Sequence, residues 1–299
     1  MNNSYGRARR SWKNRDLEGY RELAALQAGL GASFLTLNLD GTKTLAVSLE
    51  EMLEFLPKVI PAIQEATSLP LSFDNPDIAF HREALRHFDL SGCEGRPILN
   101  SLAASRHDID GMIELAAKYD MDIIVMASEC YDEKGGHRAA RSPEDVRDTA
   151  LYFVELVRRE TGFSNDRLIV DPGLSPIASD TAGGVNLCLD ALRTLRECPE
   201  LEGIHLSVGL SNFSIGSPGP LRIPLERAFL RLALDAGLDY ALANPEKNTL
   251  PLPGDDPLVT KLLNVLVEGR PASDEDMEEA GYRQLDAFME LWKEPVNPA

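Results

Sequence analysis

The sequence predicts an α/β fold, a (β/α)8 TIM barrel with an added C-terminal helix, and three observations lead there. The chain has 299 residues, and one such barrel takes roughly 250. Short apolar runs alternate with amphipathic stretches of about 10–18 residues, the pattern of repeated βα units. No GxGxxG follows the first strand and the units repeat evenly, which favours a barrel over an open doubly wound sheet.

A helix over 17–30 leads, with Leu23, Leu26, Ala28 and Leu30 on or near one face and Gly29-Leu30-Gly31 as its stop. The strand 32–39 (ASFLTLNL) follows, then a helix over 49–66. Pro57 and Pro61 each remove a backbone donor from that helix and are expected to kink or split it. Next come a strand over 69–73, a helix over 76–88, a strand over 97–99, a helix over 108–119 and the very apolar strand 122–126. A charged, glycine-containing loop over 129–141 precedes a helix over 143–161, with Ser142 as N-cap before proline in the first turn. A strand over 168–170, a helix over 184–196, a strand over 204–210, a helix over 225–236, a strand over 240–242 and a helix over 257–268 complete the alternation.

Parallel strands covered on both faces read as continuous apolar runs, as LIV, IIVM and HLSVGL do. The reading yields seven strands, each followed by a helix, where a barrel needs eight. The remaining strand belongs before Leu17. Residues 1–5 are either its tail or part of an unusual closure. Residues 273–299 begin SDEDMEEA and hold one helical stretch, 277–291, expected to pack as a peripheral extension. No domain boundary is visible, so 1–299 reads as one domain.

Composition narrows the function. Hydrophobic residues make up 43% and charged residues 26%, ordinary for a globular protein. A net charge of −18 repels polyanions, which argues against nucleic acid as partner. No run of 18 apolar residues is available for a membrane span, and MNNSYGRARRSWKNRD lacks the apolar middle of a secretion signal. A cytoplasmic protein without a membrane partner is expected. Cys93, Cys130, Cys188 and Cys198 have no paired spacing and read as reduced thiols.

Barrel chemistry sits at the C-terminal ends of strands. Here those ends carry Asn38-Leu39-Asp40, Asp74-Asn75, Asn100-Ser101, Asp171-Pro172-Gly173, Ser211-Asn212 and Asn244. Any one of these is most simply a cap or a turn former. Six on one rim form a ring of donors and acceptors with few cations, suited to a planar, neutral heterocycle better than to a phosphate. His81, His87, His107, His137 and His205 are isolated, and none pairs with Cys or Glu at metal-ligand spacing, so no metal is expected. His205, inside a strand run, reads as a satisfied core residue. GLSN lacks the second glycine of a nucleophile elbow, and Gly183-Gly184 reads as a plain turn before it reads as an anion site.

The ordered set LSFDN (71–75), ILNS (98–101), IVDPG (169–173) and VGLSNFS (208–214) resembles the pterin-binding barrel family, whose fold is of the dihydropteroate synthase type. Within it the chain looks most like the methyltetrahydrofolate:corrinoid-protein methyltransferases, above all in VGLSNFSIGSPGPLRIPLERAFLRLALDAGLDYALANP. The resemblance implies roles for individual residues. Asp74 and Asn100 match the strand-end pair that holds the pterin ring. Asp171 matches the carboxylate on the pterin amino group and ring nitrogens, and Asn212 the catalytic amide at N5. Ser211 and Arg222 share the Asn212 loop, with Arg222 reaching toward the site. Asn38, with Asn2 or Asn3, matches weaker rim positions.

The chemistry so implied is in-line methyl transfer between N5 of tetrahydrofolate or methyltetrahydrofolate and the cobalt of a corrinoid (cobalamin) carried by a partner protein. No protein side chain becomes covalent. A carboxylate accepts two parallel bonds from an amidine-like edge, and such charge-assisted bonds are strong. Orientation of the donor supplies much of the catalysis, and an amide, being no acid, passes on a proton through water or an ordered network. The resemblance also implies a homodimer. Dihydropteroate synthase shares the DPG motif, but it carries a lysine where Ser211-Asn212 stands, and no diphosphate site is evident. It is the alternative enzyme, and a non-catalytic pterin-binding protein the alternative outside catalysis.

Overall fold

The computed structural model describes residues 1–247 and 250–293. In chain order it contains α1 (Gly6–Asn14), α2 (Leu17–Gly29), β1 (Leu35–Leu37), α3 (Leu49–Gln64), β2 (Leu71–Asp74), α4 (Ile78–Arg86), β3 (Ile98–Leu102), α5 (Ile109–Lys118) and β4 (Asp122–Met126). Then come β5 (Glu129–Tyr131), β6 (His137–Ala139), α6 (Pro143–Thr161), β7 (Leu168–Asp171), α7 (Gly184–Glu197), β8 (His205–Gly209) and the short α8 (Leu210–Phe213). The chain continues with α9 (Gly219–Asp235), β9 (Tyr240–Leu242), α10 (Pro257–Glu268) and α11 (Met277–Lys293). The hydrogen-bonded strand order β1-β2-β3-β4-β7-β8-β9 follows the chain. A doubly wound sheet would reverse direction part-way, so this order favours the barrel topology over it.

Two compact units are distinguishable, one of residues 1–126 and 153–169, the other of 127–152 and 170–299. In the first, β1 to β4 pair in parallel, and the register sets Leu37 beside Phe73 and Asp74 beside Asn100. Ile98, Ile124 and Ile169 form a buried cluster against Phe34 and Met126. Residues 1–3 run beside β1: Asn2 bridges Asn38 in parallel, and Asn38 N–H donates to the Met1 carbonyl at 3.0 Å. Residues 1–5 thus meet the first strand through a single bridge and form no strand of their own. In the second unit β8 and β9 pair in parallel, with Gly209 opposite Leu242.

The helices start where short acceptors precede apolar periodicity. Asp16, Asp77, Asp108 and Asp256 each accept a first-turn N–H, and Ser48 and Glu51 form a capping box at α3. Ser142 Oγ accepts the Asp145 N–H at 3.1 Å, as expected of an N-cap. Gly31, at φ +87°, ends α2 in the left-handed region, where a side chain is strained.

Four expectations change. Helix α1 precedes the helix over 17–30 that was expected to lead. Trp12 is its anchor, packed edge-on against Phe55 at 5.4 Å, while its cations keep to the outside. Helix α3 runs unsplit through Pro57 and Pro61, because Met52, Phe55, Leu56, Val59, Ile60 and Ile63 are buried along one face. That burial outweighs two lost donors. The 129–141 loop folds as the hairpin β5–β6, closed by Asp132 Oδ1 accepting from Lys134 and Gly136 N–H at 2.8 Å each. Helix α9 begins six residues earlier than 225, at Gly219. The C-terminal helix stands where expected, while residues 294–299 of the extension lie outside the described residues. Among the described residues no helix is long and apolar enough to cross a membrane.

Candidate functional site

In the first unit the parallel register sets Asp74 beside Asn100, and one step beyond Leu37–Phe73 brings Asn38 into the same row. Neighbouring strands lie about 4.8 Å apart, so three hydrogen-bonding side chains span roughly 10 Å of rim. Asn100, 6% exposed, donates from Nδ2 to Ser72 Oγ at 3.3 Å. Asp74 is largely withdrawn from water, and this burial raises its pKa. The Asn38 amide opposes that rise, the neighbouring Asp40 carboxylate adds to it, and the Arg106 guanidinium works against it. Asp40 is held by Asn75 Nδ2 at 2.7 Å and by Asn38 Nδ2 at 3.2 Å. Asn3, fully buried, donates to the carbonyls of Leu39 and Asp40, so it braces the segment that follows β1.

Arg106 is the residue the sequence reading passed over. Its Nε and Nη2 donate to the Ser101 carbonyl and hydroxyl at 3.1 and 3.2 Å. That anchors a cation beside two carboxylates in a rim expected to hold few. The signal was a basic residue in the short segment between strand 97–99 and the helix cap at Asp108. Also unforeseen is His81, fully buried, with Nε2 2.8 Å from the Asn75 carbonyl. Burial drives its pKa down to about 4, so the ring is neutral and structural.

In the second unit Asp171 ends β7, 6% exposed. Its Oδ1 accepts the Gly173 N–H at 2.8 Å and its Oδ2 the Ser207 hydroxyl at 3.4 Å. These two bonds do not offset burial, which pushes the carboxyl up to about 7. Gly173, at φ +81°, is forced: a Cβ there would lie 2.6 Å from Ser128 Cβ. Asn212 stands exposed on α8 immediately after β8. Its amide folds back over the strand end, where a Cβ on Gly209 would come within 3.0 Å of Nδ2. Ser211 shares this short helix. Arg222, expected in the same loop, is instead exposed on the first turn of α9 and donates from Nε to the Ser217 carbonyl at 3.0 Å. The longer helix removes it from the loop.

Several alternatives resolve. Asn244 Oδ1 accepts the Glu246 N–H at 3.1 Å and is a turn former. The helix start at Gly183-Gly184 already carries an anion, since Asp180 accepts from Gly184 and Val185 N–H at 2.7 and 2.8 Å. His205 is satisfied by Asp239 at 2.8 Å but lies partly exposed at the start of β8 rather than in the core. Cys93, Cys130, Cys188 and Cys198 are free thiols, and among the described residues no three His, Cys, Asp or Glu gather as a metal site.

Residues 6–244 match the family described as pterin binding enzyme, four-fifths of the chain. The chain belongs to the pterin binding enzymes. Among curated relatives of this pterin binding enzyme is the methionine synthase of Mycobacterium leprae (strain TN), 25% identical over 247 residues. The match takes 78% of this chain but only 18% of that relative's length. Among solved structures it is similar to a Yersinia pestis dihydropteroate synthase in a sulfonamide complex, with TM-score 0.55, 17% identity and coverage of 93% and 87% of the two chains. It is also similar to the 7,8-dihydropteroate synthase of Vibrio fischeri ES114, with TM-score 0.58, 17% identity and coverage of 85% and 89%. At such identity these likenesses show the fold, a β/α barrel of the dihydropteroate synthase type, with seven parallel strands and surrounding helices among the described residues.

Proposed function

We propose that this pterin binding enzyme moves a methyl group between N5 of methyltetrahydrofolate or tetrahydrofolate and the cobalt of a corrinoid protein. The observation that carries the reading is Asn212, a neutral amide standing in the open on the turn after β8. A group that contacts N5 while leaving its methyl accessible must be exposed and must not compete as a nucleophile, and a carboxamide meets both demands. The methionine synthase relative supports the same reading, and because this chain spans only 18% of it the partner is part of the proposal.

Asp171 and Asp74 accept hydrogen bonds from the pterin's amino and ring N–H groups, and Asn100 and Asn38 flank Asp74 in its row. Ser211 adds a hydroxyl beside Asn212, and Arg222, on the first turn of α9, offers the rest of its guanidinium to polar groups near the site while its Nε donates to the Ser217 carbonyl. When the corrinoid is docked, its cobalt supplies the methyl acceptor or donor. With methyltetrahydrofolate as donor, the N5–methyl bond would break with its electron pair staying on N5, the acceptor's own electron pair would make the new bond to the methyl carbon, and N5 would keep a proton relayed through water ordered by the Asn212 amide. Oriented reactants gain much of the ~7–11 kcal/mol that proximity makes available. The enzyme is read as a cytoplasmic homodimer, a point for light scattering and cell fractionation.

The likeness to dihydropteroate synthases favours a second reading, condensation of a pterin diphosphate with p-aminobenzoate. One pair of assays separates them. With a methylated corrinoid protein and tetrahydrofolate, methyl transfer appears as cob(I)alamin-type absorbance. With pterin diphosphate and p-aminobenzoate, the alternative gives pteroate. Folate binding without either reaction leaves a binding protein.

A further inference from the structure

Helix α11 lies beyond residues 6–244 that match the family; it packs on α10, and a buried polar junction ties it to the start of α7 and the segment before it. Gln284 on α11 is fully buried and donates from Nε2 to the Asp180 carbonyl at 3.2 Å and to Asp180 Oδ2 at 3.3 Å. Its Oε1 accepts from Asn186 Nδ2 at 3.4 Å, and the same amide donates to the Leu266 carbonyl at 2.8 Å. Asp180, 3% exposed, spends its carboxylate on the first N–H groups of α7. One side chain of α11 therefore holds the cap of α7 and the segment before it.

Packing repeats the message. Helix α11 lies against Ile177–Ser179. At Gly281 a Cβ would sit 2.2 Å from the Thr181 carbonyl oxygen, so only glycine permits this approach. A Cβ on Gly183, at φ +69°, would meet Met277 Sδ at 2.7 Å. The segment so gripped, 172–183, begins directly after Asp171, and its second residue is Gly173, whose N–H orients the Asp171 carboxylate at 2.8 Å. A buried glutamine and two buried partners cost desolvation unless every bond is made, so the junction is rigid or absent.

We propose that α11 is a clamp on segment 172–183 and that Gln284 is a positioning residue for pterin binding, acting through Gly173 on Asp171. This rests on the reading that Asp171 binds the pterin. Helix α11 adds no group to the ligand; it removes the freedom of the segment that aims one.

The test compares the full-length chain with Gln284→Met and, as an independent lesion, Gly281→Ala. Tetrahydrofolate affinity and amide exchange over 172–183 are measured well below each variant's melting temperature. Both variants should bind tetrahydrofolate about tenfold more weakly, with faster exchange over 172–183 and unchanged exchange over 71–75. The midpoint of the pH dependence of binding should move upward, because a loosened Gly173 N–H no longer favours the Asp171 carboxylate. A lowered melting temperature with affinity, exchange and pH midpoint unchanged would overturn the proposal, as would faster exchange with unchanged affinity. Asp171→Asn is the control: unaltered affinity there removes the pterin reading of Asp171, whereas the exchange data still report on the clamp.

Discussion

Replacing Asp171 with asparagine removes a carboxyl that burial pushes from 3.8 up to about 7 while nearly keeping its shape. The asparagine Oδ1 can retain the Gly173 N–H, and its Nδ2 can donate to Ser207 Oγ. Between pH 4 and 7 the folded chain holds a proton on Asp171 that the unfolded chain has released. Stability therefore falls as pH rises through that window and levels off above it. The gap from 3.8 to about 7, at ~1.36 kcal/mol per pH unit, makes this loss roughly 4 kcal/mol. Asp171→Asn should thus stabilise the ligand-free protein at pH 8 by up to about 4 kcal/mol and do little at pH 4. Urea unfolding of both proteins at pH 4, 6 and 8 measures the difference. Pterin affinity should move the other way, since hydrogen bonds to a charged group are worth about 1.5–3 kcal/mol each. In the wild type it should weaken as pH falls below about 7, where the carboxylate takes up its proton. A wild-type-minus-variant stability difference that stays flat with pH refutes the burial argument. Equal pterin affinity in the two proteins removes Asp171 from the binding site.

Asn212→Ala should keep folate binding within about tenfold (~1.4 kcal/mol) yet slow methyl transfer by at least ~100-fold, the cost typical of losing one preorganised polar group. Equal losses in stopped-flow transfer and in equilibrium binding would show that Asn212 only binds. His81, neutral in the folded chain with its pKa lowered from 6.5 to about 4, takes up a proton on unfolding below pH 6.5. Stability should fall by about 3 kcal/mol from this residue as pH drops from 6.5 to 4. His81→Gln, which can still donate to the Asn75 carbonyl, should flatten that acid limb in urea titrations; an unchanged slope would count against it. Arg167, 7% exposed, donates to Asp122 at 2.6 Å and to the Met121 carbonyl at 2.7 Å. Arg167→Met should cost about 3 kcal/mol by stranding Asp122, read as a shift in urea midpoint, and a shift below a third of that would mean water takes the arginine's place.

The amino-acid pattern by itself determined the βα alternation, because parallel strands covered on both faces need unbroken apolar runs such as DIIVM and the helices between them need one apolar stripe. It also placed Asp74, Asn100, Asp171 and Asn212 at or near strand ends, since polar residues next to apolar strands stand out against their neighbours. Helix α1 and hairpin β5–β6 stayed hidden because charge masked the short buried face of Ala8, Ser11 and Trp12 in one and a five-residue turn in the other. Only the tertiary structure decided that Asn38, Asp74 and Asn100 share one row, that Asn244 is merely a turn, and that Arg222 rides on α9. It alone brought Arg106 to two carboxylates and Gln284 to Asp180, 104 residues away. Register, burial and long-range hydrogen bonds depend on which strands and helices become neighbours, and that energy belongs to pairs distant in the chain, which no local run of residues encodes.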